Sequence, residues 1–192
     1  MGELILILGG ARSGKSDYGQ RLAEELGGQW VLFVATAEAR DDEMRARIKA
    51  HQEQRPDGWR TLEAPLDVSH TLPKSAQDAQ VIFLDCLTLL VSNILLAQGE
   101  SPDEASAHQA VMDEICAILQ WLKKQSATVI VVSNEVGLGL VPPYPLGRMY
   151  RDLLGRANSL LAAEADQVYM MFAGLPIELR SLTTARLHAQ KQ

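Results

Sequence analysis

Runs of five to seven mostly aliphatic residues recur along this chain at wide intervals, at 4–8, 30–36, 80–85, 128–133 and 167–172. None alternates cleanly between apolar and polar positions. Each therefore predicts a strand covered on both faces, as strands of a parallel sheet are. Helical periodicity fills the intervals. Tyr18, Leu22 and Leu26 repeat after the first run, and Val111, Ile115, Ile118 and Leu122 mark one face of a longer helix. That helix is expected to open at Ser101-Pro102-Asp103-Glu104, read as a capping box with proline at its first position. Strands alternating with helices predict an α/β domain with a mostly parallel sheet and helices on both faces. Pro142-Pro143-Tyr144-Pro145 reads as a long irregular loop and the polar stretch after Arg180 as a frayed end. With no repeat, low-complexity tract or linker, residues 1–192 are expected to form one domain.

Composition narrows the function classes. Apolar residues are 47% of the 192 and aromatics only 5%, so the core must be aliphatic. A net charge of −6 argues against a non-specific nucleic-acid binder, while leaving room for local positive charge. The two cysteines, Cys86 and Cys116, have neither metal-ligand nor redox spacing, which suits a reduced compartment. The first apolar run meets Gly9-Gly10 without the pattern of a signal peptide. Residues 87–97 are apolar but too short to span a bilayer and carry Ser92 and Asn93. A soluble cytoplasmic protein with no membrane span is the expectation.

The candidate chemistry begins where the first strand ends. Gly9, Gly10, Ala11, Arg12, Ser13, Gly14, Lys15 and Ser16 fit G-x-x-x-x-G-K-[ST] between a predicted strand and a predicted helix, the context a phosphate loop requires. Glycines let successive N–H groups curl around phosphate oxygens, and the helix N-terminus adds partial positive charge. Lys15 can bridge the β- and γ-phosphates, and Ser16 offers a hydroxyl to Mg²⁺. An ordinary glycine turn is the alternative, but it would need neither Lys15 nor Ser16. The run 81–84 ends in Asp85, placed to hold the magnesium shell or, more plainly, to be a solvated strand-end acid. One further strand, 30–36, separates the two motifs in sequence and hints at a RecA-like strand order.

A second cluster follows. Asp41-Asp42-Glu43 is a favourable acidic helix start. Met44, Ile48 and His51 share one helical face, and Arg47, His51 and Arg55 a neighbouring stripe. A histidine between guanidiniums is biased toward neutral imidazole, its nucleophilic form. The alternative is a partly buried histidine flanked by solvated arginines. His70, His108 and His188 lack such company and read as surface residues. No histidine pair has zinc spacing.

Together these residues resemble the bifunctional adenosylcobinamide kinase and adenosylcobinamide-phosphate guanylyltransferase family of cobalamin biosynthesis. The likeness covers roughly residues 4–172. Beyond the phosphate loop it rests on Ala35-Thr36; Arg47-Ile48 with His51, Arg55-Pro56, Trp59, Thr61 and Glu63; Asn134-Glu135-Val136-Gly137; and Arg151-Asp152, Gly155, Asn158 and Ala165-Asp166. The resemblance implies a P-loop NTPase of RecA-like fold, assembled as a homotrimer. It implies a kinase step, in which ATP or GTP phosphorylates adenosylcobinamide. It further implies guanylylation of a histidine by GTP, followed by GMP transfer to the corrinoid phosphate. By the same likeness His51 and Lys15 are the catalytic residues. Ala35, Thr36, Ala37, Gln52, Glu53, Gln54, Arg55, Glu63 and Asp85 join the phosphate loop as nucleotide contacts, and Ser16 and Asp85 hold the metal. Relatives often carry a second histidine where this chain has Ala50, and an acidic residue and Asn where it has Pro143-Tyr144-Pro145. A kinase lacking the second activity, and an NTPase coupling hydrolysis to a partner, are the rival readings. Glu135 is a candidate base for the kinase step.

Overall fold

The structure, a computed structural model, describes residues 2–39, 41–53, 55–99 and 101–182, with the side chains at 43, 47 and 51 outside that description. In chain order the elements are β1 (Leu4–Gly9), α1 (Lys15–Gly27), β2 (Val31–Ala35), α2 (Asp42–Glu53), β3 (Arg60–Glu63), α3 (Val68–Ser75), β4 (Val81–Asp85) and α4 (Leu87–Ala97). They continue with α5 (Glu104–Leu122), β5 (Thr128–Asn134), α6 (Pro145–Glu164), β6 (Gln167–Phe172), β7 (Leu175–Glu178) and α7 (Leu179–Leu182). The strands form one sheet in the order β3-β2-β4-β5-β1-β6-β7. Every pairing is parallel except β6 with β7.

All five apolar runs are strands, and the reason they do not alternate is visible in the packing. Leu4, Leu6, Leu8, Leu32, Val34, Ile82, Leu84, Val129 and Val131 point into one core with α3, α4, α5 and α6. Ile5, Ile7, Phe33, Phe83, Ile130 and Val132 point the other way, into a second core under α1. Both parities are buried, so the strands are aliphatic throughout.

The strand order is RecA-like, but not for the reason expected. The strand lying between the phosphate-loop strand β1 and the acid-tipped β4 is β5, from later in the chain. Strand β2, which separates the motifs in sequence, lies on the far side of β4.

Three helix readings need correction. Helix α1 buries Gly19, Ala23 and Gly27 most deeply; of the expected stripe, Tyr18 and Leu22 pack half-buried against the second core and Leu26 is exposed. A Cβ on Gly19 would sit 2.8 Å from the Phe83 ring, and one on Gly27 2.8 Å from Val81, so the helix backbone lies against the sheet. Helix α5 is capped by Asp103, not Ser101. The Asp103 carboxylate accepts from the Ser106 N–H at 2.9 Å and its hydroxyl at 3.0 Å, which puts Pro102 outside the helix. Pro145 belongs to α6 as an N-terminal residue, where its missing N–H goes unneeded. Ser181 and Leu182 finish α7, and the rest of the expected frayed end, 183–192, lies outside the described residues. Among the described residues no helix is long and apolar enough to cross a membrane.

Candidate nucleotide site

The C-terminal ends of the parallel strands set the site, as in other sheets of this kind. Register places Glu63, Ala35 and Asp85 abreast on β3, β2 and β4. Gly9 and Asn134 stand abreast on β1 and β5.

The loop leaving β1 is shaped by glycine. Gly14 adopts φ +90°, where a side chain would be strained and its Cβ would sit 3.2 Å from Gly174. Gly9 is tightly enclosed: a Cβ there would lie 2.5 Å from Ser13 Oγ and 3.0 Å from the Met171 carbonyl oxygen. Arg12 also turns left-handed, with φ 55°. The loop is tied to its surroundings by main-chain bonds from Gly174 N–H to the Ser13 carbonyl (3.0 Å) and from Glu135 N–H to the Gly9 carbonyl (3.1 Å). Helix α1 opens at Gly14 with no side-chain cap, so its first N–H groups are available to an anion. Ser13 Oγ is buried without a hydrogen-bond partner, as a loop shaped for a ligand would leave it. Lys15 is buried and donates its ammonium to the Gly10 carbonyl at 2.7 Å, across the mouth of the loop. Burial lowers its pKa, and the charge of Asp85 opposes that shift. Cys86 contributes little to the balance at neutral pH, because burial pushes its thiol up to about 12 and keeps it uncharged.

A cavity of about 380 Å³ adjoins the loop and runs between the strand ends and α2. Ser16, Ala35, Ala37, Gln52, Arg55, Glu63 and Asp85 all line it. The Arg55 guanidinium lies 3.6 Å from the centroid of the Phe33 ring and donates to Thr61 Oγ1 at 3.1 Å. Burial lowers its pKa, opposed by the charges of Asp85 and Glu63.

Residues 5–179 match the family described as CobU, cobinamide kinase / cobinamide phosphate guanyltransferase. This chain belongs to that family. As a member it is a bifunctional kinase and guanylyltransferase of adenosylcobalamin biosynthesis. It is 40% identical over 184 residues to the bifunctional adenosylcobalamin biosynthesis protein CobU of Salmonella typhimurium, covering 92% of this chain and 99% of that one. It is 42% identical over 175 residues to the bifunctional adenosylcobalamin biosynthesis protein CobP of Pseudomonas aeruginosa, covering 91% and 96%. The fold is similar to that of the flagellar accessory protein FlaH from Methanocaldococcus jannaschii, with TM-score 0.50 and 14% identity over 91% of this chain and 74% of that one.

Not every residue expected at the site in this family member lines the cavity. Thr36 is fully buried, and its hydroxyl is occupied by Cys86, donating to the carbonyl at 2.7 Å and accepting from the N–H at 2.8 Å. Its position clips β2 to β4 and leaves no side-chain group for a ligand. Glu53 is exposed, 3.9 Å from Lys49. Gln54 and the His51 side chain lie outside the described residues, and the backbone at 51 is in α2. Glu135 turns away from the cavity; its carboxylate accepts from the Gly137 N–H at 2.6 Å and borders an open basin beside Arg151 and Asp152. Among the other histidines His70 is exposed, His108 is half-buried with Nε2 2.8 Å from Arg156 Nη1, and His188 lies outside the described residues. No group of three His, Cys, Asp or Glu converges among the described residues as an all-protein metal cage would require.

Sequence reasoning missed Phe33, Met44, Ile48, Thr88 and Asn134 as cavity residues. Met44 and Ile48 have the spacing of a core-facing helix stripe, and nothing local distinguishes a core from a ligand cavity. Asn134 carried a usable signal, a polar residue closing an otherwise aliphatic strand.

Proposed function

We propose that one nucleotide cavity in a single domain serves both family reactions, with Lys15 and the phosphate loop acting on the γ-phosphate and His51 on the α-phosphate. The observation that carries this reading is the convergence of Ser16, Asp85, Gln52 and Arg55 on one cavity, which joins the phosphate loop to the helix bearing His51.

In the kinase step the acceptor hydroxyl of adenosylcobinamide attacks the γ-phosphorus of ATP or GTP. Lys15 and the amides of Gly9 to Ser16 stabilise the charge that spreads over the transferring oxygens. Ser16 and Asp85 supply hard oxygen donors on the wall of the same cavity, a set suited to Mg²⁺, which keeps several waters and shares phosphate oxygens. When bound, Mg²⁺ would neutralise charge on the β- and γ-phosphates. In the second step neutral His51 attacks the α-phosphorus of GTP, pyrophosphate leaves with the bonding pair, and the corrinoid phosphate then takes the GMP. Arg55 supports this step by its position: a guanidinium held over Phe33, within the field of Asp85 and Glu63, is set to meet a phosphate. Helix α2 moves to bring His51 to the nucleotide, a motion supported by its shallow packing. The family likeness favours a homotrimer, to be checked by sedimentation, and the two unpaired cysteines accord with a cytoplasmic enzyme.

Mass spectrometry after incubation with GTP and Mg²⁺ tests the reading. An acid-labile adduct of GMP mass on the peptide bearing His51 is expected. An intact mass unchanged by GTP, from enzyme that still phosphorylates the corrinoid, would reduce the protein to a kinase.

A further inference from the structure

The strand between the two motif strands ends in a residue that neither motif includes. β5 lies between β1 and β4, and Asn134 closes it, half-buried, on the wall of the cavity shared with Ser16 and Asp85. Its surroundings are unusual for a strand end. The Asn134 N–H donates to Thr88 Oγ1 at 2.7 Å, and its carbonyl accepts from Asn158 Nδ2 at 2.9 Å. Asn158 is in turn held by the Ser133 hydroxyl, which donates to its Oδ1 at 2.6 Å. Thr88, Ser133 and Asn158 are all buried, and they come from α4, β5 and α6. Buried polar side chains are retained when satisfied, and a satisfied network rigidifies what it surrounds. Here three such side chains fix one main-chain unit.

Those bonds have a chemical consequence. With both main-chain groups of Asn134 engaged, its side-chain amide is the group left to offer a ligand in the cavity. Thr88 Oγ1, the polar side-chain atom against its main chain, already accepts from the Asn134 N–H. A γ-phosphate held by Gly9 to Ser16 on one side and facing Asp85 on the other would lie before β5, the strand between them.

We propose that the Asn134 side-chain amide is a catalytic group of the kinase step, donating a hydrogen bond to the γ-phosphoryl group as it transfers; this rests on the two-reaction reading above. The acceptor oxygen forms its bond to the γ-phosphorus, and the bond to the β,γ-bridging oxygen breaks. The bonding pair leaves with the nucleoside diphosphate, and the hydroxyl proton is released to solvent. A fixed neutral donor stabilises the peripheral oxygens without adding charge, and it needs no reorganisation as the reaction proceeds. Guanylylation makes and breaks bonds at the α-phosphorus instead. The γ-phosphoryl then departs unchanged within pyrophosphate, so the same contact contributes little to that barrier.

The two reactions give the test its selectivity. Wild type, Asn134→Ala and the near-isosteric Asn134→Leu would be compared for kinase turnover with adenosylcobinamide and Mg²⁺–nucleotide, for the rate of GMP adduct formation from GTP, and for thermal melting. Both variants are expected to lower kinase kcat by roughly 10²–10³-fold, as loss of one preorganised donor does. KM for the nucleotide and the adduct rate should each stay within about 3-fold. Kinase kcat within about 3-fold of wild type in either folded variant would overturn the assignment. Equal loss of both reactions from a folded variant would do the same, because Asn134 would then be serving nucleotide binding. Wild-type enzyme yielding phosphorylated corrinoid but no adduct would refute the guanylylation reading and leave the kinase role of Asn134 to be judged on kcat.

Discussion

On the phosphate-loop side of the cavity, α1 meets the sheet through Gly19, Ala23 and Gly27, with its backbone against Phe83 and Val81. Across the cavity, none of the described residues of α2 is buried, and Met44 and Ile48, its half-buried apolar side chains, line the cavity instead of joining either core. Among the described residues the polar contacts of α2 are local: Asp41 accepts from the Met44 N–H at 2.7 Å, and exposed pairs such as Arg45–Asp42 add little. The same contrast extends to β5, whose terminal Asn134 is fixed by buried side chains from α4 and α6. One wall is thus anchored in the sheet core, whereas the described side chains of the other lie outside both cores. The proposed use of one cavity for attack at the γ-phosphorus and at the α-phosphorus draws on both.

Substitutions can break or sharpen this contrast. The largest effect is expected for His51→Ala, which should lower guanylyl transfer by more than about 10⁴-fold, as removal of a nucleophile does. Kinase turnover should persist within a few-fold; its loss, measured by phosphorylated corrinoid, would mean that the α2 wall also governs the γ-phosphate. Next comes Lys15→Ala, expected to reduce kinase kcat by roughly 10²–10³-fold, measured as phosphorylated corrinoid, because it removes the ammonium held across the loop mouth at the Gly10 carbonyl. On stability, Gly19→Ala should cost about 1–3 kcal/mol by overpacking against Phe83, read by denaturant unfolding.

The fixed wall also has a pH signature. Burial raises the Tyr150 phenol from 10.0 to about 12, with Cys86 adding to the shift. Since the folded value lies above the unfolded one, the neutral phenol stabilises the fold fully below pH 10, and that contribution fades as pH rises through 12. Tyr150→Phe should therefore flatten the decline in unfolding free energy between pH 10 and 12 by about 1–2 kcal/mol. Tyr18, also raised to about 12, keeps part of the slope. The smallest effect is expected for Ile48→Ala, below about 1 kcal/mol, well short of the 2–5 kcal/mol of a core isoleucine. A core-sized loss would show that α2 is anchored after all.

The five long strands were legible because burial on both faces leaves an uninterrupted aliphatic run. Strands β3 and β7 were not. Arg60-Thr61-Leu62-Glu63 and Leu175-Pro176-Ile177-Glu178 are sheet edges, mostly exposed, and mix charge or proline with apolar residues, so they carry no period. The phosphate loop was readable because its function is a local property of eight consecutive residues. Strand order was not, because it depends on which strand inserts beside β1, and a correct expectation rested on the wrong strand. The site beyond the loop assembles residues distant in sequence. Arg55 over Phe33, and Asn134 on the same cavity wall as Ser16, follow from register and crossover, which no single segment encodes.

The two unexpected strands have a bearing on how the molecule behaves in a crowded solution. A seven-stranded sheet offers an unpaired strand at each end, a template on which another chain could add. Here both ends are four residues long. One carries Arg60 and Glu63, and the other has Pro176, which has no N–H to donate. Filament growth by strand addition is thereby discouraged at both margins.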